Sequence, residues 1–144
     1  MSTQVLAYLV YLLTALATVV IVLTQLRLGR GAGGARRTHV GGLLVRVHGI
    51  AGVLALLIWV AFLIADPESL LGSSTAGIIA LALWWVVALT GLLILVRWLP
   101  SRGRHASSAT EDRWSSGPAL SVLAHGGMLV GVCVFTWAYL TSVV

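Results

Sequence analysis

Four long apolar blocks constrain this chain more than anything else in it: Val5 to Leu26, Leu43 to Ile64, Ile78 to Val96 and Leu120 to Leu140. Each is close to the roughly 20 residues that an α-helix needs to cross the hydrocarbon of a bilayer. No block holds an Asp, Glu or Lys. With 59% hydrophobic and 9% charged residues in 144, the chain has more apolar surface than one soluble core of that size can bury, and lipid is the solvent that removes the conflict. Barrel strands are excluded because they are short and alternate polar with apolar residues. The expected fold is all-α: an integral membrane four-helix up-down-up-down bundle forming a single domain over 1–144, with helices at about 5–26, 40–64, 75–98 and 118–142.

Charge sets the expected orientation. All nine basic residues are arginines, and they flank two loops: Arg27, Arg30, Arg36, Arg37 and Arg46 around the first, Arg97, Arg102, Arg104 and Arg113 in the third. The link between the second and third blocks, Asp66-Pro67-Glu68, is acidic. Under the positive-inside rule the arginine-rich loops 1 and 3 are cytoplasmic and both termini lie outside, as in a multi-pass protein of the plasma membrane. Because topology accounts for the net charge of +5, nucleic acid is not an expected partner; the lipid bilayer, with its anionic cytoplasmic face, is.

Several chemistries drop out. Met1-Ser2-Thr3-Gln4 has no side-chain cation, so the first block reads as a retained helix and not as a signal peptide. The single cysteine, Cys133, excludes paired-thiol redox work. The glycine-rich stretch Leu28 to Ala35 lacks the Gly-Lys-Ser/Thr ending of a phosphate-binding loop and reads as a linker. No Gly-x-Ser-x-Gly and no His-Glu-x-x-His occurs, so there is no hydrolase signature. The polar stretch from Pro100 to Gly117 reads as a surface helix or disorder, and Pro118 suits the first turn of the fourth helix.

Among the spanning residues, small ones mark close helix approach: Gly49 and Gly52, Ala80, Ala88 and Gly91, and Gly127-x-x-x-Gly131. Tyr8, Trp137 and Tyr139 are expected interfacial anchors, while Trp59, Trp84 and Trp85 read first as packing. Tyr11, Thr14, Thr18 and Gln25 form a polar stripe expected to face the bundle.

Titratable groups inside a span are costly, and this makes His48 and His125 the functional candidates. Each lies five residues inside its block, at Leu43 and at Leu120 respectively, so both sit about 7 to 8 Å deep at 1.5 Å per residue. Helices 2 and 4 are diagonal in a square bundle, about 11 to 14 Å apart, a span that two imidazoles fill across one iron. Gly52 lies one turn from His48, and Gly91 is five residues from the end of its own block at Val96; both would leave room for a macrocycle. Arg37, Arg46 and Arg97 are placed to pair with its propionates. His39 and His105 are loop residues near the surface.

The segments His48-Gly49-Ile50-Ala51-Gly52 and His125-Gly126-Gly127-Met128, on a four-span layout, resemble small four-helix membrane b-type cytochromes. The resemblance implies haem b, His48 and His125 as metal ligands, Gly52 and Gly91 as cofactor-binding positions, and single-electron transfer with a membrane quinone or a redox protein as partner. Three alternatives stand beside it. Each histidine is a neutral packing residue bonded to a helix carbonyl or to Thr14, Thr18 or Ser121; the chain is a cofactor-free accessory or scaffold subunit of a larger membrane complex or a homo-oligomer; or it is a small proton-coupled exporter. The last is weakened by the lack of an intramembrane carboxylate.

Overall fold

The structure is a computed structural model that describes residues 2–29, 42–98 and 118–144; the side chains of 27–29, 97–98 and 118–120 fall outside that description. Among the described residues there are four α-helices and no strand: α1 (Thr3–Gly29), α2 (Gly42–Ile64), α3 (Ser74–Trp98) and α4 (Pro118–Leu140). All four are long and apolar enough to cross a membrane.

Local chemistry fixes the helix ends. The Ser2 hydroxyl accepts from the Val5 amide at 3.3 Å and starts α1 at Thr3, two residues ahead of the expected start. In the link 65–73, Asp66 closes a turn by accepting from the Glu68 amide at 2.8 Å, and a Cβ at Gly72 would collide with the Asp66 carbonyl. Ser73 then caps α3 through the Ala76 amide at 3.4 Å. At the far end of α4, Ser142 takes a φ of 54°, and the amides of Ser142 and Val143 bond back to Tyr139 and Ala138 at 3.0 and 2.9 Å. That pair of bonds is a Schellman stop, which ends the helix at Leu140 and not at 142.

The helices contact in a ring, α1 to α2 to α3 to α4 and back to α1, with the α2–α3 interface the most extensive. Alanines 51, 55, 80, 88 and 138 are buried, and they let the backbones approach closely. The core is filled by Trp59, Trp84 and Phe135, with Val10 and Val132, all fully buried. Trp59 meets Phe135 with centroids 4.9 Å apart and Phe62 at 5.5 Å, Trp84 meets Phe135 at 5.8 Å, and Phe62 meets Tyr139 at 5.9 Å. These tilted contacts suit the ring quadrupoles. Gly77 lets this cluster close, because a Cβ there would stand 2.6 Å from Tyr139.

Most polar tips in this cluster are satisfied. The Trp59 indole donates to Thr14 at 3.1 Å, Trp85 to Thr136 at 3.2 Å, and the Tyr139 hydroxyl to the Ser74 carbonyl at 2.9 Å. Trp84 Nε1 is the one buried side-chain polar atom without a partner among the described residues. The polar stripe of α1 splits: Thr14 is buried and Thr18 half-buried, whereas Tyr11 and Gln25 are exposed. Tyr11 lies about 60° round the helix from Thr14, enough to turn it off the inner face. Tyr8 and Trp137 are exposed, as interfacial side chains are.

Candidate functional site

His48 of α2 and His125 of α4 come together across the bundle diagonal. Their ring centroids are 6.2 Å apart and the planes 28° from parallel. Gly91 of α3 lies against both: a Cβ there would stand 2.7 Å from His125 Cδ2 and 3.0 Å from His48 Cε1. Any larger residue at 91 would have to push the rings aside. Gly52, the other glycine expected here, is buried between α1 and α3, where its Cβ direction meets Val87 at 3.9 Å and Ile21 at 4.0 Å.

The hydrogen bonds fix the tautomers. His48 Nδ1 lies 3.1 Å from the Val87 carbonyl and 3.1 Å from Thr90 Oγ1. The Thr90 hydroxyl gives its own proton to the Val86 carbonyl at 2.6 Å, so toward His48 it accepts. His125 Nδ1 lies 2.6 Å from the Ser121 carbonyl, one turn back on its own helix. A carbonyl oxygen only accepts, so both Nδ1 atoms carry a proton, and a neutral imidazole at either position keeps its lone pair on Nε2. Neither Nε2 has a hydrogen-bond partner among the described residues.

Histidine ligands characteristically donate their other ring N–H to a carbonyl, which orients the ring and raises its basicity. Two bonds of about 2 Å, each with about 1.1 Å more from nitrogen to ring centre, give a centroid separation of about 6 Å for one bridging metal. The observed centroid separation equals that length. A planar macrocycle fits only when the contact of Gly91 with the rings opens. Among the described residues no group of three or more His, Cys, Asp or Glu side chains converges.

Of the arginines proposed as propionate partners, Arg46 is exposed and its Nε donates to the Gly42 carbonyl at 3.3 Å. Arg37, the side chain of Arg97, and the loop histidines His39 and His105 lie outside the described residues. Thr90 was not among the expected partners of His48, yet a signal for it exists. His48 is 16 residues before the end of α2 at Ile64, and Thr90 is 16 residues after the start of α3 at Ser74, so a hairpin folded at the 65–73 link brings them level.

No protein-family model, curated protein or solved structure matches the chain.

Proposed function

We propose that this is a multi-pass plasma-membrane protein that holds haem b between His48 and His125 and passes single electrons. The observation that carries the reading is the pairing of two imidazoles on separate helices, 6.2 Å apart between centroids, each with Nδ1 held by a backbone carbonyl. His48 and His125 would hold the group, which would supply one-electron redox chemistry when bound. The chain orients the imidazoles through Val87, Thr90 and Ser121, keeps bulk away at Gly91, and offers Arg46 to a propionate near the same end. A membrane quinone or a second redox protein would be the electron partner.

The same proposal includes an up-down-up-down bundle with both termini outside and the arginine loops in the cytoplasm. Its support is the order of contacts. Residues 14, 21 and 25 of α1 meet 59, 52 and 49 of α2; residues 48 and 62 of α2 meet 90 and 77 of α3; residues 77, 85 and 91 of α3 meet 139, 136 and 125 of α4.

An absorption spectrum of the protein purified after expression with ample haem tests the function. A Soret band that sharpens and shifts on dithionite reduction is expected, and its absence sinks the reading. A competing role, a cofactor-free subunit of a larger complex, is favoured by exposed Gly126 and Gly127 on α4, whose Cβ directions are open to another helix. Co-purification of a colourless protein with a larger assembly would support that role.

A further inference from the structure

We propose that the start of α2 and the end of α1 form a seat for the headgroup of an anionic phospholipid, gripped by Arg46 with Gln25 beside it. The seat uses neither imidazole and stands apart from the haem reading.

Arg46 lies inside the apolar span Gly42–Ile64, three residues past Leu43, and it is exposed. A guanidinium is costly in hydrocarbon at that depth, about 4 to 5 Å at 1.5 Å per residue, so the side chain has to run toward the nearer surface. It does so: Nε donates to the Gly42 carbonyl one turn back, at 3.3 Å. That bond draws the head to the level where lipid phosphates begin and uses one of its five N–H groups. The other four, on the terminal nitrogens, form the planar fork that grips a phosphate with paired bonds.

The seat has a second wall. Ile21 meets Gly52 and Gln25 meets Gly49, so the end of α1 lies beside the start of α2. Gln25 is exposed, and among the described residues its amide nitrogen is the one atom within 4 Å of the Cβ direction of Gly49, at 3.9 Å. Gly49 is about 60° round α2 from Arg46 and one turn along it. A cationic fork, an amide donor and a glycine without bulk thus border one seam.

Charge chooses the occupant. The acidic residues of the chain are Asp66, Glu68, Glu111 and Asp112. Asp66 and Glu68, the two that are described, follow the far end of α2, so Asp66 is about 30 Å from Arg46 along the axis. Arg27 and Arg97 occupy the last turns of α1 and α3, and the contacts of Gln25 with Gly49 and of His48 with Thr90 bring both helix ends to the start of α2. This end is cationic and no described carboxylate neutralises it. An anionic headgroup is the complement that a bilayer supplies at that level. Its acyl chains would lie along the outer faces, where Leu43, Val47 and Ile50 of α2 and Val22 and Leu26 of α1 are exposed.

The test is native mass spectrometry of the haem-free full chain in detergent, offered phosphatidylglycerol and phosphatidylcholine with the same acyl chains in equal amounts. The unmutated chain should retain phosphatidylglycerol in preference. Arg46→Gln should cut that preference about fivefold, the worth of one arginine near the surface. Gly49→Leu, which leaves the charge unchanged, should cut it by filling the seam; circular dichroism shows whether that variant is folded, and the arginine variants decide without it. Arg102→Gln removes the same charge from loop 3 and should leave the preference within about twofold of the unmutated chain. Equal losses at 46 and 102 would reduce the effect to net charge and overturn the seat, as would a preference that survives Arg46→Gln. Millimolar inorganic phosphate should not displace the lipid, and displacement would reveal a site for the free anion and overturn the lipid assignment.

Discussion

The two halves of this bundle are built on opposite rules. In the half that contains Phe62 and Tyr139, space is filled: Trp59, Trp84 and Phe135 are fully buried and in ring contact, and the indoles of Trp59 and Trp85 each find a threonine. In the half that contains His48 and His125, space is withheld. The rings are half-buried, and the neighbouring positions are glycines: 49, 91, 126 and 127. Lipid tails are as apolar as leucine, so helices in a bilayer associate through close packing and hydrogen bonds and not through a hydrophobic drive. Stability then belongs to the filled half, and the open half is free to carry a site. A helix bundle in lipid can separate the two along its length because each turn packs largely with its own level.

That contrast can be broken at several points. The largest effect is expected from Phe135→Ala, which should cost about 3–5 kcal/mol of unfolding free energy by leaving a cavity between Trp59 and Trp84. His125→Ala should cost about 1 kcal/mol or less, since it loses one local hydrogen bond. Equilibrium unfolding in mixed detergent compares them, and similar costs would break the division between the halves. Next comes a pair of glycines. Gly91→Ala should destabilise by about 1–3 kcal/mol through overpacking against both imidazoles and should lower haem affinity. Gly127→Ala, facing open space, should be neutral or stabilise by up to about 1 kcal/mol through helix propensity. A neutral Gly91→Ala with haem binding intact would show that α3 does not border the site closely. A smaller effect than at Phe135 or Gly91 is expected from Thr14→Val, which removes the acceptor of the Trp59 indole inside the filled half and should cost about 0.6–1.7 kcal/mol. Red-edge tryptophan fluorescence in the same titration reports whether Trp59 is the ring that loosens.

Counting along the chain was enough for some of this. The equal insets of His48 and His125 put them at one level, and the structure places their rings 6.2 Å apart; Gly91, chosen by the same count from its own block end, lies against both. Helical spacing from His48 points to Gly52, but one turn along α2 the neighbours are Val87 and Ile21, so its place is a packing surface of α1 and α3. The partner of His48 was not among the threonines of α1, because α2 turns this face toward α3; Thr14 serves Trp59 and Thr18 bonds its own helix at the Thr14 carbonyl. Ser121 is an expected partner for the histidines, and it is the backbone carbonyl of that residue that meets His125.

What the sequence determined by itself is the number of helices and their length. A backbone in hydrocarbon must satisfy its own hydrogen bonds, and for an apolar run of about 20 residues the helix is the way to do so. What it left open is which face of each helix looks inward. These helices are apolar all round: Leu16, Leu57, Leu89 and Leu123 are exposed, while Leu6, Leu56, Leu81 and Leu95 are buried, and nothing in residue type separates the two sets. With no polar face to mark the outside, only the fit of ring against glycine and indole against threonine chooses the register. That fit decided that Thr90 meets His48 and that Gly91 touches both imidazoles.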